Sequence, residues 1–472
     1  MTQRHWTLAV VCTATAMLML DIAVVNTALS RIAEDLDAGL GGLQWVVDAY
    51  TLALAATVLT FGSLADRFGR RRLFTAGLAL FTLASAACAA ATGIDGLVAA
   101  RAVQGVGAAI MFAVSLAILA DAFPGAKERA GALAAYGATI GASFAIGPLV
   151  GGALTSGLDW QWIFLVNIPL GIACIWITRV HVRESRDPRA RRVDVPGQVA
   201  LGSGLFLLVL ALLRGNEEGW GSTPIVAALA AAVVLLAAFI VIEHRVKEPM
   251  LPLGLFRNPN FAGAQVAAAA ISATFFAIFL YITLYLQQVL GLTAIEAGLV
   301  YLPATIVMFV VSGATSAVGE KVSARVMVAG GLALVAVGMG LMTIAGTDSS
   351  WTTLMPGFLV AAFGVGLFNP AVTAVALGSA PIEQSGLAAG VNDTFRQAGI
   401  AIGVAGLGAL VPAQAALGGG SATEYVSGLH DALWVGGSLA MAGAIAAAVL
   451  IRGVRAGEAP AVDVPEAALA AA

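Results

Sequence analysis

Residues 62–74 read Gly62-Ser-Leu-Ala-Asp-Arg-Phe-Gly-Arg-Arg-Arg-Leu-Phe74, a short charged segment between two long apolar stretches. The flanking apolar windows, 45–65 and 73–92, each have about the 20 residues that a membrane-spanning helix needs, so the segment predicts a loop between two such helices. Gly62 and Gly69 permit a tight turn, and Asp66 can accept charge-assisted hydrogen bonds from Arg or from a helix N-terminus. Such contacts can lock one conformation, although a loop whose positive charge only fixes topology is the simpler alternative.

The same apolar pattern repeats along the whole chain. Fourteen windows are long enough to cross a bilayer, at approximately 7–29, 45–65, 73–92, 97–120, 131–155, 162–180, 195–213, 223–243, 261–288, 297–317, 326–345, 352–376, 388–412 and 431–451. Hydrophobic residues make up 60% of the chain and charged residues 11%, whereas about a quarter of the residues of a soluble domain are charged. The sequence therefore predicts an all-α integral membrane protein with 14 spans and excludes a cytosolic enzyme.

Lys and Arg are distributed unevenly between the predicted loops. If the N-terminus is cytoplasmic, twenty of the 24 lie on the inner side, Arg31 and Arg214 lie outside, and Arg101 and Arg396 fall within spans. Because basic loops are retained in the cytoplasm, this bias predicts a multi-pass membrane protein with both termini cytoplasmic. The use of Arg rather than Lys, with abundant Ala and Gly, suggests a high-GC bacterium and hence a bacterial inner membrane.

Two linkers divide the spans into groups of six, two and six. Residues 181–193 are basic with a central Pro, and residues 244–260 contain three Pro. We expect an N-terminal six-helix bundle over 1–180, basic linkers with two inserted transmembrane helices over 181–260, a C-terminal six-helix bundle over 261–456, and a disordered cytoplasmic tail over 457–472. A faint repeat of segment 62–72 at 313–325 favours two related halves with a site between them, as in rocker-type transporters.

Five charged side chains inside predicted spans are the first functional candidates, because intramembrane charges are costly and usually functional. Asp21, Asp48 and Arg101 all fall in the outer half of the first six spans by residue counts from the window ends. Asp21 and Arg101 could pair when Asp21 is ionised and separate when it is protonated; a static structural pair, or an unpaired Arg101 reaching the interface, is the alternative. Asp393 and Arg396 have the i, i+3 spacing of a local helix ion pair and are a second candidate for coupling.

The fifth span is rich in glycine. Gly147, Pro148, Gly151 and Gly152 lie in mid-span, where they permit a bend and the close approach of a neighbouring helix. We expect these four residues to contribute to conformational gating. A glycine-rich packing face with no bearing on transport is the simpler alternative.

These motifs resemble those of the major facilitator superfamily, and in particular its fourteen-span drug:proton antiporter family, over essentially the whole chain. Residues 62–74 match the superfamily's signature loop, residues 97–107 resemble its fourth-span motif, and residues 141–152 resemble the fifth-span motif that marks antiporters. Residues 20–29 are similar to the first-span motif of the drug antiporters, with Ala23 and Ser30 in place of the usual Thr and Pro. Gln161 stands where many relatives carry Arg, so an ion pair made by that Arg is absent or replaced here.

The resemblance implies a major facilitator fold, with two six-helix bundles and two additional transmembrane helices between them. It implies proton coupling by Arg101 and Asp21, to which Asp48, Asp393 and Arg396 are added as candidates. It also implies conformational gating by the loop residues Gly62, Asp66, Arg67, Gly69 and Arg70. An acid at the position of Asp48 accompanies cationic drugs in some exporters of the family, which favours cationic substrates.

Aromatic and Met side chains crowd spans four and nine, and such surfaces suit promiscuous apolar or cationic ligands. Substrate contacts are expected from Asp21, Asp48, Met111, Phe112, Phe275, Phe279, Tyr285 and Asn392. Packing against lipid or within the core is the simpler explanation for each aromatic side chain taken alone.

The predicted function is proton-coupled antiport that exports hydrophobic, often cationic drugs or toxic compounds by alternating access. The chain has no GxxxxGK[ST] phosphate loop, and its four His have no metal-binding spacing, so we expect no catalytic residues, no metal and no cofactor, with protons as the coupling ion. We expect a monomer that contacts lipid and small substrates but no nucleic acid. A dedicated exporter of one endogenous metabolite or antibiotic, and a non-transporting membrane sensor or scaffold, are the alternatives.

Overall fold

A computed structural model describes residues 2–186, 193–318, 322–381, 384–416 and 420–452. Most of these residues lie in helices, and the described ranges contain no β-sheet. The expected disordered tail, 457–472, and residues 187–192 of the basic linker lie outside the described residues.

Fourteen long helices follow the fourteen expected windows. They are α1 (Gln3–Leu36), α2 (Leu40–Phe68), α3 (Arg70–Ala89), α4 (Ile94–Ala122), α5 (Ala126–Gly157), α6 (Trp162–His181), α7 (Val195–Glu218), α8 (Thr223–Arg245), α9 (Pro259–Val289), α10 (Ala294–Val318), α11 (Ala324–Met342), α12 (Met355–Gly378), α13 (Ser385–Gly408) and α14 (Ala422–Leu450).

Thirteen of these helices are long and apolar enough to cross a membrane. The exception is α13, because Asn392, Asp393, Arg396 and Gln397 lower its hydropathy. The all-helical membrane fold is therefore confirmed. The count of fourteen spans stays a prediction, since α13 has the length of a span but not its apolarity.

Short turns with specific backbone conformations separate the helices. Gly69, at φ 108°, forms the turn between α2 and α3, a conformation that favours glycine. Asp37, at φ 49°, ends α1 in the left-handed region, and its N–H donates to the Ala33 carbonyl. α14 begins with a capping box formed by Ser421 and Glu424. These caps satisfy helix-end groups where the chain reverses direction.

The first six helices pack against one another, as do α9 to α14, and the two bundles meet along two seams. One seam joins α5 to α10, and the other joins α2 to α13. α7 contacts both α2 and α13, so the inserted pair α7–α8 lies between the bundles in sequence but beside this second seam in space. Gln198 of α7 donates to the Ala56 carbonyl of α2 at 2.6 Å, which attaches the inserted pair to the first bundle.

Glycine permits the close approach of α5 and α10. A Cβ at Gly152 would lie 2.8 Å from Ile295 Cα, and a Cβ at Gly298 would lie 3.2 Å from Leu149 Cα. Apolar side chains gain little by moving from lipid to a helix interface, so helices in membranes associate through such close small-residue contacts. The seam therefore depends on these two glycines.

The hydrogen bonds between the bundles lie in one half of the molecule, although apolar packing along the α2–α13 seam continues into the other half, as at Leu59 and Gly390. We call the end where α1 begins, which carries Arg4, Arg70 and Arg183, the basic end. Three hydrogen bonds between the bundles lie in the other half of the molecule: Gln44 Nε2 to Tyr281 Oη at 2.7 Å, Gln287 Nε2 to the Thr27 carbonyl at 3.0 Å, and Ile295 N to Ser156 Oγ at 3.1 Å. Within the described ranges, no hydrogen bond or ion pair joins the first bundle to the second at the basic end.

We predict that Gly298→Ala weakens the contact between the bundles. Its Cβ would collide with the Pro148 carbonyl oxygen, so the backbone must shift. That shift costs about 1–3 kcal/mol, more than the gain in helix propensity of at most about 1 kcal/mol. Gly313→Ala, in the same helix, is the matched control because nothing lies within 4 Å of its Cβ position. Thermal unfolding in detergent should give a lower Tm for Gly298→Ala only; equal Tm values would contradict this account of the seam.

Candidate functional site

Asp21 of α1 and Arg101 of α4 form an ion pair inside the first bundle. The Arg101 guanidinium donates to Asp21 Oδ2, and the two side chains are 2% (Arg101) and 0% (Asp21) exposed. Arg101 also donates to Gln104 Oε1 at 2.7 Å and to the Val46 carbonyl of α2 at 3.0 Å. The centre of the Tyr50 ring lies 4.3 Å from the guanidinium carbon, within the range of a cation–π contact. Arg101 is therefore held by α1, α2 and its own helix.

The second carboxylate oxygen of Asp21 accepts two amide donors. Gln104 Nε2 lies 2.8 Å from Asp21 Oδ1, and Asn167 Nδ2 of α6 lies 3.3 Å from it. Gln104 Nε2 also donates to Ser85 Oγ of α3 at 2.9 Å. Sequence reasoning missed Gln104, Asn167 and Ser85, for which polarity within apolar windows was the only signal. The network joins five helices of the first bundle.

Asp21 lies nearer the middle of α1 than its outer end. The predicted window ended at residue 29, but α1 continues to Leu36, so 15 residues (22–36) follow Asp21 in the helix. Asp21 is therefore farther from the helix end than the window suggested, but it still lies in the outer half of α1, with 18 residues before it and 15 after it. The expectation that Asp21 and Arg101 share a layer holds, because the two side chains are in contact.

Asp48 of α2 does not join this ion pair. Its side chain is fully buried, and neither carboxylate oxygen has a hydrogen-bond partner among the described residues. The hydroxyl of Tyr50, two residues along the chain, is also buried without a partner. A buried anion without a partner is very costly, so this carboxyl group must acquire a proton or a partner. Asp48 is a second candidate, separate from Asp21.

The expected ion pair between Asp393 and Arg396 is not formed. The described part of the chain shows no contact within 4.0 Å between their charged groups; Arg396 instead donates to Asn369 Oδ1 of α12 at 2.6 Å. The long Arg side chain reaches the neighbouring helix rather than returning along α13. Asp393 Oδ2 is buried without a partner, and Asn392 Nδ2 donates to Gln265 Oε1 of α9 at 3.1 Å.

The loop between α2 and α3 is tied to other helices of the first bundle by charged groups. Asp66 Oδ1 accepts from Arg70 Nη2 at 2.8 Å, and Arg70 Nη1 donates to Asp121 Oδ2 of α4 at 2.6 Å. The Arg70 backbone N–H, next to Gly69 in the turn, donates to the Ser185 carbonyl at 2.9 Å. The loop therefore fixes α2, α3 and α4 to the segment that follows α6.

Glu184 completes this loop network. Its Oε1 accepts from the Arg71 backbone N–H at 3.0 Å, and a Cβ at Gly69 would lie 2.7 Å from the same oxygen. Arg67 is exposed, and the Cβ position of Gly62 faces open space, so these two predicted gating residues make no comparable contact. Asp121 and Glu184 were missed because they are distant from the loop in sequence.

The glycines of α5 contact both bundles. A Cβ at Gly147 would collide with α1, and a Cβ at Gly151 would lie 2.8 Å from Val24 Cα, also in α1. Gly152 and the Pro148 carbonyl instead face α10 of the second bundle. α5 therefore links the helix that carries Asp21 to the opposite half of the molecule.

A cavity lies between the two bundles. It is lined by residues of α1, α2 and α5 on one side and of α9, α10, α12 and α13 on the other. Phe275 and Phe279 are part of its wall, and Phe275 lies in a π-helical turn, Ser272–Phe276, of a kind often found at functional sites. Met111 and Tyr285 are fully buried in helix packing instead, and Tyr285 donates to the Gly346 carbonyl at 2.6 Å.

The other expected substrate contacts lie outside the cavity wall: Asp21, Asp48, Phe112 and Asn392. Sequence reasoning missed the wall residues Ile22, Asn26, Phe144, Tyr301 and Phe358. Helix periodicity does not show which side of a uniformly apolar helix faces a cavity, so no signal separated these residues from lipid-facing ones.

Comparisons with known proteins agree with this architecture. The sequence profile of the Major Facilitator Superfamily matches residues 11–404. The multidrug resistance protein Stp of Mycobacterium tuberculosis (strain CDC 1551 / Oshkosh) is 37% identical over 84% of this chain and 74% of its own length. The methylenomycin A resistance protein of Streptomyces coelicolor is 33% identical over 88% of this chain and 87% of its own length. The solved structure of the human organic anion transporter MFSD10 (TETRAN) superposes with a TM-score of 0.65 at 14% identity, over 94% of this chain and 99% of that one.

We predict that Arg101→Met strongly destabilises the protein. It leaves Asp21 buried without its cation, which costs about 3–5 kcal/mol. The double variant Arg101→Met with Asp21→Asn should recover much of this loss, because the charge is removed while the Asn oxygen still accepts from Gln104.

Arg31→Met is the control, since Arg31 forms a half-exposed pair with Glu34 at 2.8 Å worth at most about 1 kcal/mol. Thermal unfolding of all four proteins in one detergent measures the difference. Equal losses for Arg31→Met and Arg101→Met would contradict a structural role for the buried pair.

Proposed function

We propose that this member of the major facilitator superfamily exports drug-like compounds in exchange for protons. The chain belongs to that superfamily and is therefore a membrane transporter rather than an enzyme. The names of two relatives support the drug part of this proposal. One is named for multidrug resistance and the other for resistance to methylenomycin A. A membrane transporter confers resistance when it moves the toxic compound out of the cell.

The Asp21–Arg101 ion pair is the main observation in favour of proton coupling. Buried acid and base groups inside membrane helices mark proton pathways in transporters. Arg101, Gln104 and Asn167 all donate to the Asp21 carboxylate. A proton on Asp21 removes the charge that holds Arg101 and occupies one of the oxygens. The network therefore has two arrangements, selected by the proton.

α1 connects this proton site to the cavity. Ile22 and Asn26 line the cavity, whereas Asp21, directly before Ile22, points to Arg101. Gly147 and Gly151 place the α5 backbone against the same part of α1. Rearrangement of the Asp21 contacts therefore acts on the cavity wall through α1 and on the second bundle through α5.

The position of the hydrogen bonds between the bundles supports alternating access. The hydrogen bond of Gln44 to Tyr281 and that of Gln287 to the Thr27 carbonyl join the bundles away from the basic end. With the basic end in the cytoplasm, as the Lys and Arg distribution predicts, this conformation receives substrate from inside the cell. We accordingly place the protein in a bacterial inner membrane, with both termini cytoplasmic, as a monomer.

Asp48 supplies a second proton in this scheme. Its side chain is fully buried and its oxygens are unpartnered, which suits a neutral carboxyl group in the present conformation. The opposite conformation would have to hydrate or pair this group for the proton to leave. Asp21 and Asp48 then change protonation at different stages of one transport cycle.

We predict that Asp21→Asn abolishes proton-driven export. The change leaves Arg101 without its counter-ion and should also lower stability by about 3–5 kcal/mol, so export is compared at equal amounts of folded protein in the membrane. Asn retains the side-chain oxygen that accepts from Arg101 but cannot exchange a proton. Export of a panel of chemically unrelated antibiotics and dyes from cells, with and without a protonophore, measures the effect. Wild-type export should stop when the protonophore is added, and the variant should export at the background rate under both conditions.

Asp37→Asn is the matched control, because Asp37 is exposed at the end of the same helix and Asn tolerates its left-handed conformation. Wild-type rates are expected for this control at equal expression. Export by Asp21→Asn at the wild-type, gradient-dependent rate would refute the role of Asp21. Competition among unrelated compounds indicates broad specificity, whereas transport of one compound alone indicates a dedicated exporter.

We predict that Asp48→Asn lowers the number of protons released per substrate. Because Asn resembles the neutral acid in size and shape, the variant's stability should stay within about 1 kcal/mol of wild type. A pH-sensitive dye in detergent records the protons released when a transported compound is added. An unchanged proton yield in Asp48→Asn would exclude Asp48 as a proton carrier.

A further inference from the structure

The wall of the central cavity is aromatic and uncharged. Six rings line it: Phe144, Phe275, Phe276, Phe279, Tyr301 and Phe358. Asn26 and Thr305 supply the other polar side chains of the wall, and no Asp, Glu, Lys or Arg is part of it within the described ranges. The site therefore offers extensive ring contact but no charge to pair with an ionic ligand.

The cavity is a narrow cleft rather than an open chamber. The empty volume between its walls and at its mouth is about 760 Å³. Phe279 and Tyr301 stack with their ring centres 4.0 Å apart and their planes 25° apart. Phe358 packs edge-on against Tyr301 at 5.3 Å, which fixes the orientation of that ring. Such a wall offers ring faces and edges against which a flat aromatic ligand can pack.

The polar groups of the wall are available mainly as hydrogen-bond acceptors. Asn26 donates through Nδ2 to the Ile22 carbonyl at 3.1 Å, and its Oδ1 accepts no hydrogen bond from the described residues. Thr305 donates its hydroxyl to the Leu302 carbonyl at 3.0 Å and keeps oxygen lone pairs free. A ligand with one or two O–H or N–H donors therefore matches the wall.

The neighbouring acidic side chains do not neutralise the positive charge of a cationic ligand in the cavity. Asp21 is committed to Arg101 and is outside the cavity wall, and Asp48 is fully buried behind Val47. Ring faces attract a cation, but this attraction offsets only part of the lost hydration of the ion. A permanently charged compound is thus at a disadvantage against an uncharged one of the same shape.

We infer that the preferred substrates are planar, uncharged aromatic compounds that carry a hydrogen-bond donor. This inference rests on the proposed export function and names the substrate class of that same cavity. It replaces the expectation of cationic substrates that Asp48 suggested from the sequence, because Asp48 does not reach the cavity. Asn26 and Thr305 are the residues that orient the donor.

Two probes of the same three-ring shape test the inference. Acridone is flat, uncharged and carries one N–H, whereas N-methylacridinium is a flat permanent cation without a donor. Binding to the purified full-length protein in nanodiscs is followed by the fluorescence of each probe. We expect acridone to bind at least about tenfold more tightly, a difference of about 1.4 kcal/mol. Equal or tighter binding of N-methylacridinium, or no binding of acridone, overturns the inference.

Three variants connect the preference to the cavity wall. Asn26→Asp places a carboxylate of nearly the same shape in the wall and should reverse the preference toward N-methylacridinium. Phe279→Leu removes the stacked ring and should weaken acridone binding about tenfold, within the range expected for loss of an aromatic contact. Phe206→Leu is the control because Phe206 lies on α7, against Trp45 and outside the cavity. A response to Phe206→Leu as large as that to Phe279→Leu would place the binding elsewhere.

Transport measurements in cells distinguish a failure of this inference from a failure of the proposed function. The inference alone fails if cells export N-methylacridinium in a protonophore-sensitive way but not acridone. The export proposal fails if no compound of the antibiotic and dye panel leaves the cell in a gradient-dependent way, whatever binds in nanodiscs. Binding of acridone with gradient-dependent export of acridone supports both.

Discussion

The organisation of the first bundle depends on neutralising one buried charge. Arg101 is 2% exposed among mostly apolar and small residues of α4, and an unpaired Arg at such a position would be very costly. Asp21 supplies the opposite charge, while Gln104 and the Val46 carbonyl satisfy other guanidinium donors. The positions of α1, α2 and α4 are therefore mutually constrained, since displacement of any one leaves a buried charge or carbonyl without its partner.

The contact between the bundles depends on close packing and a few hydrogen bonds rather than on charge neutralisation. The bundles meet along the α2–α13 seam and along the α5–α10 seam, where backbone lies against backbone at Gly152 and Gly298, and three hydrogen bonds join them away from the basic end. Contacts of this kind depend on distance and little on desolvation, so they can separate and re-form as the bundles rock. A charged network ties helices within the first bundle, whereas weak polar and close-packing contacts join the two bundles, as rigid-body rocking requires.

Much of the fold could be predicted from the sequence, because each span must satisfy its backbone internally and therefore shows as one long apolar helix. The pairing of Asp21 with Arg101 could also be predicted, since two costly intramembrane charges seek each other. Asp393 and Arg396 show the limit of that logic, because local spacing cannot show that Asn369 on another helix offers an acceptor. The cavity wall was the least predictable part, since Phe144 and Tyr301 look like lipid-facing aromatics until the helices are placed.

The separation of the acid from the cavity determines how exchange can work. If drug and proton competed for one carboxylate, that carboxylate would have to line the cavity, and none of the described wall residues is acidic. Asp21 and Asn26 are instead five residues apart on α1, about 7.5 Å along its axis, so the two sites communicate through the position of that helix. Each ligand then acts by favouring one arrangement of α1, with a coupling free energy typically of about 1–3 kcal/mol.

Substrate charge then decides how much the membrane potential contributes to export. Exchange of a monovalent cation for two protons, one from Asp21 and one from Asp48, carries one positive charge inward, worth about 2.3 kcal/mol per 100 mV. Exchange of an uncharged compound for the same two protons carries two positive charges inward and gains about twice that energy. A cavity wall without acidic groups therefore suits a transporter that draws more of its driving force from the membrane potential.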